Sequence, residues 1–300
     1  MRDEVDVLNN DHLGFFPVRP APAGSAFRST DLQELQEMTF QLSGSAPEIY
    51  ERVMVPLWFG RWAEALVDLL SLEPFEKVLD LACGTGVTTR MAAQRVGPDG
   101  RVDGLDINAS MLAQAKQLAA DRNIVWIESD VSDTGLPSDS YDVVMSQHGY
   151  HYFPDKPAAL NEFRRVLAPN GRMAFSIWDG HSPYTRAVCA AVERHISPEI
   201  ARRQRSQRET PAADELAAQL RDAGFAEVDV KRQELMIQVP LAHEFVPLHI
   251  GSMPIADAFR ALPDIAKERL IDDVAEALAG YVEGERIVYP DAVHVAMGVK

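Results

Sequence analysis

Cysteine is nearly absent: the 300-residue chain has two, Cys83 and Cys189. Two thiols without metal-ligand spacing make neither a disulfide framework nor a metal site, and both read as free. Long apolar runs are missing as well. Ala63 to Leu72 and Gly171 to Trp178 are short or broken by charges, well under the roughly 20 residues that cross a bilayer, so no membrane insertion is expected. The opening residues MRDEVDVLNND lack the basic start and apolar stretch of a signal peptide, which makes cytoplasmic residence the expectation. Positive charge is scarce: 29 Lys and Arg face 45 Asp and Glu, a formal charge of -16 that opposes a phosphate backbone. The nearest basic cluster, Arg202, Arg203, Arg205 and Arg208, has no interleaved aromatic for base stacking, so no nucleic-acid partner is expected. What remains is an ordinary globular balance, 46% apolar and 25% charged, long enough for one large domain or a domain with a substantial elaboration.

Residues 1 to 45 read as an arm and helix, a candidate lid. The first 30 are irregular, with Phe15 and Phe16 near a Gly/Ala/Pro-rich stretch, and Asp31 to Leu42 has a cap and an apolar spacing that suit a helix. A second helix is expected over Gly60 to Leu70, with Trp62, Leu66, Leu69 and Leu70 as its apolar stripe. The period then changes. Lys77 to Ala82, Arg101 to Asp106, Ile124 to Glu128, Tyr141 to Ser146 and Arg172 to Trp178 read as strands, separated by helices through Gln94, over Ala109 to Asp121 and over Pro157 to Leu167. That alternation predicts a mostly parallel α/β sheet covered on both faces, with its ligand beyond the carboxyl ends of the strands. Further on, helices are expected over Pro183 to Ile196 and Ala213 to Ala223, with Arg202 to Pro211 as a polar connection between them. Late strands are expected over Glu227 to Gln238 and within Arg286 to Val299, around a largely helical 241 to 285. No linker divides 46 to 300, so the helical pieces belong to the same domain as the sheet.

The strongest local pattern is VLDLACGTGVTTR at 78 to 90. A strand delivers Asp80, and Gly84 and Gly86 let the backbone turn sharply before a helix begins. Position 89 is Thr and no lysine follows the turn, so neither the G-x-G-x-x-G dinucleotide pattern nor the triphosphate-loop pattern fits. Asp106 ends the second strand, where a carboxylate can accept from both hydroxyls of a ribose. Asp130 closes the third strand and can accept from an adenine amino group, with Val131 as an apolar wall.

These residues resemble the class I S-adenosylmethionine-dependent methyltransferases, within them the ubiquinone/menaquinone-biosynthesis C-methyltransferase branch and its small-molecule relatives. DLACGTG at 80 to 86 is similar to the family's first motif, with Ala82 where many members carry another glycine. LPSDSYDVVMSQHGYHYFPD at 136 to 155 and EFRRVLAPNGRMAFSIW at 162 to 178 are similar to the segments around the fourth and fifth strands. The resemblance implies a Rossmann-like sheet of seven strands with the last antiparallel. It also implies S-adenosylmethionine as cofactor and S-adenosylhomocysteine as product, with Asp80, Ala82, Gly84 and Gly86 at the methionine part. Asp106 would then hold the ribose, Ile107 would pack on the adenine, Asp130 and Val131 would meet the base, Met111 would be a further cofactor contact, and Gln147 would lie beside the cofactor.

Methyl transfer needs a nucleophile in line with the methyl group and, for a hydroxyl or acidic carbon, a base. His148 and His151 follow the fourth strand and titrate near neutral pH, so either is a candidate base or a packed strand-end residue. Tyr150 and Tyr152 either line an acceptor pocket or anchor the loop. ERVMVPLWFGRW at 51 to 62 offers Trp58 and Phe59 as an aromatic wall and Arg61 for an anionic group. Cap insertions are expected at about 180 to 212 and 241 to 285, the latter bringing His249, and a roofed pocket suits a small organic acceptor better than a protein or RNA surface. The histidines have no carboxylate at ligand-like spacing, so no metal is expected. A noncatalytic S-adenosylmethionine-binding protein and a protein or RNA methyltransferase are the competing readings.

Overall fold

The computed structural model describes residues 46–119, 124–253 and 255–300. The expected arm and helix within 1 to 45 lie outside the described residues.

The strands are β1 (Lys77–Leu81), β2 (Arg101–Asp106), β3 (Ile124–Glu128), β4 (Tyr141–Gln147), β5 (Leu167–Trp178), β6 (Ala226–Pro240), the two-residue β7 (Val282–Glu283) and β8 (Arg286–Val299). They form one sheet in the order β3-β2-β1-β4-β5-β8-β6, with β7 paired to β8. Neighbouring strands from β3 through β5 are parallel, and β8 runs antiparallel to both β5 and β6. This is the α/β Rossmann-like methyltransferase sheet of seven strands with the last antiparallel, extended by a short β7.

Helices cover both faces because the strands bury side chains on both. Along β5, Met173, Phe175 and Ile177 enter one core cluster while Ala174 and Trp178 enter the other. On the first side lie α5 (Lys156–Val166), through Phe163 and Val166, and α8 (Ala213–Asp222), through Leu216 and Leu220. The opposite cluster takes α2 (Gly60–Leu70), α3 (Val87–Val96) and a helical cap. The helix α4 (Ala109–Leu118) is capped by Asn108, whose side chain accepts from the amides of Ser110 and Met111. Fully buried Trp62, Tyr184, Phe245 and Tyr289 anchor the capped side, each such side chain stabilising the fold by about 1.5–3 kcal/mol.

The cap consists of α6 (Pro183–His195), α7 (Pro198–Ser206), α9 (Ala242–Gly251), α10 (Ala256–Arg260) and α11 (Asp264–Ala277). Here the polar connection read over Arg202 to Pro211 needs correction. Ser197 accepts from the amides of Glu199 and Ile200, Pro198 supplies the first-turn residue, and α7 follows. The arginine cluster carries no free basic surface at three of its four positions: Arg203 pairs with Glu199, Arg205 with Glu193 and Arg208 with Asp291.

Ahead of α2, the short α1 (Ala46–Ile49) continues as a ten-residue π-helix, Tyr50–Phe59. Pro56 lies inside it, where a missing N–H would break an α-helical ladder. The wider turn resolves on Gly60, whose amide donates to the Val55 carbonyl five residues back.

Candidate active site

The β1–α3 turn is shaped by its first residues. Ala82 adopts φ +54°, Gly84 +56° and Gly86 +79°. The two glycines differ in what surrounds them. A side-chain carbon on Gly84 would meet nothing within 4 Å, whereas one on Gly86 would fall 2.2 Å from the Trp126 ring. Trp126 on β3 is paired to Gly104 on β2, which is paired to Asp80 on β1, so these residues share one face of the sheet. Gly86 is thus required by packing as well as by its dihedral, and the open space lies above Gly84.

Asp80 is fully buried. Thr89 donates to its Oδ2 at 2.6 Å, while Oδ1 has no partner. Burial pushes its carboxyl up to about 7, with Thr89 working against that shift and the Asp106 charge adding to it. Asp106 accepts from the Gly84 amide and the Asn108 amide, each at 2.8 Å, which fixes its carboxylate at the end of β2. Ile107 beside it is 69% exposed, an apolar side chain without cover, and Met111 is half-buried in the following helix. Asp130 Oδ1 accepts from the amide and hydroxyl of Ser132, bonds that hold its carboxyl below the usual range, while Val131 is buried. The residues read as a nucleotide site thus combine open space at Gly84 with bare apolar surface at Ile107.

The π-helix closes on the turn after β1. Glu51 accepts from the Thr85 hydroxyl at 2.6 Å and pairs with Arg90, whose guanidinium also donates to the Thr85 carbonyl. At the end of β4, Gln147 accepts from Thr88 at 2.7 Å and donates to the Phe59 carbonyl at 2.8 Å. Gln147 thereby joins α3 to an aromatic pocket.

That pocket is lined by Trp58, Phe59, Trp178, Thr185, Arg208, His249 and neighbours from α6, α7 and the end of α9. Trp58 donates to Asp291 at 3.2 Å, and its ring lies 5.4 Å from that of His249, whose Nδ1 is 3.0 Å from the Tyr184 hydroxyl. His148 adopts φ +55° and stacks on Trp178 with ring centres 3.9 Å apart and 12° between planes. Both ring nitrogens of His148 and both of His151 are buried without a hydrogen-bond partner. Burial, then the charges of His151 and Arg208, hold His148 well below its usual value. Burial likewise lowers His151 to about 4 and His249 to about 3, with Arg208 adding to each. All three imidazoles are neutral at pH 7.

The structure brings Trp58, Phe59 and His249 together around one pocket, with His148 against its Trp178 wall, and leaves the other three expected pocket residues, Tyr150, Arg61 and Tyr152, outside its lining. Tyr150 is fully buried on the other face of the sheet, stacked 4.2 Å from Phe175, with its hydroxyl donating to Gln219 at 2.6 Å. It anchors the loop. Arg61 is exposed and donates to the Met236 carbonyl at the β6 edge, away from the pocket lining. Tyr152 is 63% exposed, its ring 3.9 Å from that of His151. Trp178, Arg208, Asp291 and Glu51 escaped the sequence reading. Trp178 had a signal, being an aromatic at the end of a central strand; the others depend on partners far away in the chain.

A family model described as "Methyltransferase domain" matches residues 78–171. The demethylmenaquinone methyltransferase of a Geobacillus species is 30% identical over 202 residues, 61% of this chain and 86% of that protein. The 2-phytyl-1,4-naphtoquinone methyltransferase of a Nostoc species is 36% identical over 126 residues, 41% of this chain and 54% of that protein, so the match spans about half of that relative's length. The crystal structure of the YcgJ protein from Bacillus shares the fold at a TM-score of 0.54 and 17% identity, covering 80% of this chain and 98% of that one. Among the described residues no helix is long and apolar enough to cross a membrane. With the glycine turn, the three strand-end aspartates and the sheet order in place, this chain belongs to the S-adenosylmethionine-dependent methyltransferases.

Proposed function

We propose that the protein transfers a methyl group from S-adenosylmethionine to a small, mainly aromatic organic acceptor held in the pocket beneath the helical cap. The observation that carries this reading is Gln147, which is bonded both to Thr88 of α3 and to Phe59 of the pocket wall, so the glycine-turn groove and the aromatic pocket meet at one residue. The cofactor supplies a methyl group already activated on a sulfonium, which leaves the protein to position, desolvate and deprotonate the acceptor.

In this reading Asp106 accepts from the ribose hydroxyls with lone pairs left by its two amide bonds. Ile107 and Met111 pack on the adenine, Asp130 and Val131 meet its edge, and the amino-acid part runs along Ala82, Gly84 and Gly86 near Asp80. Trp58, Phe59, Trp178 and His249 enclose the acceptor, and the segments at about 180 to 212 and 241 to 285 roof it. His148 is the first candidate for base and His151 the second. Each offers neutral, unpartnered nitrogens, and the negative charge that develops on an acceptor as it gives up its proton would stabilise the imidazolium formed. An acceptor related to the naphthoquinones for which the relatives are named suits such a wall, and O-, C- and N-methylation all fit the same in-line geometry.

The test is transfer of radiolabel from methyl-labelled S-adenosylmethionine into an extract of the source cells, fractionated into small molecules, protein and nucleic acid. Label in a small organic compound is the expected result, with His148→Gln and His151→Gln then comparing the bases. Label confined to protein or RNA overturns the small-molecule reading. Cofactor binding with no label in any fraction favours a noncatalytic role.

A further inference from the structure

The least explained feature near the pocket is a buried ion pair. Arg208 and Asp291 have side chains only 6% and 1% exposed, and the guanidinium grips the carboxylate with both Nη atoms, at 2.8 and 2.9 Å. Arg208 also donates to the Gly180 carbonyl at 3.2 Å, and Trp58 and the Ala292 amide donate to Asp291. Burying two charges is costly even when they are paired, and apolar replacement of such pairs is often neutral or stabilising. Stability alone therefore does not explain the pair.

Its neighbours suggest another role. The Arg208 guanidinium carbon lies 3.8 Å from the Trp178 ring centre, and the His148 ring centre lies 3.9 Å from it. Two planar groups that close to one centre would overlap if they shared a face, so Trp178 is held between them. Phe59 and Trp62 close the edges of the imidazole at 5.8 and 6.4 Å, each nearly perpendicular. His148 thus has aromatic groups on three sides and no hydrogen bond to orient it. In most buried histidines a hydrogen bond to a carbonyl or carboxylate helps to fix the ring; here the stack is what remains to hold its plane.

We infer that Arg208 and Asp291 form a positioning element for His148, acting through Trp178: the anchored guanidinium presses the indole onto the imidazole and fixes its plane. Asp291 holds Arg208 in register and, through Trp58, ties the stack to the pocket wall. The charged and titratable groups facing this imidazole are Arg208 across the indole, with Asp291 behind it, and His151 from the turn after β4. Burial first, and then the charges of His151 and Arg208, disfavour a positive charge on His148.

The value of this element to catalysis rests on His148 being the base proposed above, but its test needs neither cofactor nor acceptor. The full chain is labelled with 15N-histidine, and the His148 ring signals are assigned by their loss in His148→Gln. In the wild type, sharp signals of a neutral ring are expected, without titration from about pH 5 to 8. In Arg208→Met/Asp291→Asn, which removes the anchored guanidinium without leaving an unpaired charge, the imidazole should lose its fixed plane against the indole, so its ring signals should shift and broaden. Arg208→Lys keeps the cation beside Asp291 and should keep His148 neutral. Wild-type His148 signals in the double variant overturn the proposal. If that variant does not fold, Trp178→Leu removes the shared stacking surface and leaves the ion pair, and unchanged His148 signals there overturn it equally. Full methylation activity in His148→Gln would sink the base reading while leaving this result intact.

Discussion

The Gly84 amide donates to the Asp106 carboxylate at 2.8 Å, which ties the turn after β1 to the end of β2. The Asn108 amide binds the other oxygen, so one side chain orients two backbone segments of the proposed cofactor groove. Asp106→Ala should leave two partly buried amides without partners and cost about 2–4 kcal/mol of stability, read by urea denaturation. S-adenosylhomocysteine affinity should fall at least about tenfold by calorimetric titration. A folded variant that binds the product as tightly as the wild type would remove Asp106 from the ribose-binding role.

Gly84 and Gly86 make a sharper pair because only one has room beside it. Gly84→Ala places a methyl in open space, so its stability cost should be the left-handed backbone alone, about 1–2 kcal/mol, while cofactor binding is largely lost. Gly86→Ala drives a carbon into Trp126 and should destabilise by about 3 kcal/mol or more before any ligand is added. Trp126→Leu should recover part of the Gly86→Ala loss and none of the Gly84→Ala loss. Equal stabilities for the two alanine variants would contradict this division of labour.

The contrast between these glycines also marks what the sequence could tell. The turn, the strand-end aspartates and the helix stripe at Trp62 and Leu66 are local patterns, and each was legible because periodicity and dihedral need express themselves within a few residues. Trp126 behind Gly86 was not legible, since its contact passes through strand pairing. The same holds for Arg208, which reads as part of a basic run and finds Asp291 after 83 residues, and for Trp58, which finds it after 233. The π-helix hid for another reason: Pro56 and a five-residue hydrogen-bond step break the 3.6-residue period on which helix reading depends. Tyr150 was legible as a loop aromatic but not by side, because the short turn at Tyr150–Tyr152 sends it to the opposite face from His148.

That placement separates structure from chemistry. Tyr150→Phe removes only the hydroxyl bonded to Gln219 and keeps the ring on Phe175, so a loss of about 1 kcal/mol is expected, a few degrees in Tm by calorimetry. Methyl transfer at a permissive temperature should stay within about twofold of the wild type. A large fall in rate with unchanged Tm would return Tyr150 to the acceptor site.

Asp80 imposes a pH dependence whose sign follows from its burial. Its folded value of about 7 lies above the ordinary aspartate value of 3.8, so between those points the native state keeps a proton that the unfolded chain has released. The Asp80 contribution to stability is therefore greatest near pH 4, declines as pH rises through this window and levels above pH 7, a change of a few kcal/mol. His148, His151 and His249 act in the opposite direction. Held neutral by burial, they weaken the fold as pH falls below about 6.5, because the unfolded chain then binds protons that they do not. Overall stability against pH consequently mixes two slopes, and the carboxylate is isolated by subtracting Asp80→Asn, which keeps an acceptor for Thr89 and cannot ionise. Urea unfolding of both proteins from about pH 5 to 8 should give a difference that shifts steadily in favour of the variant as pH rises. A difference independent of pH would mean that Asp80 stays ionised in the folded chain, with water or a bound cation satisfying the oxygen that has no protein partner.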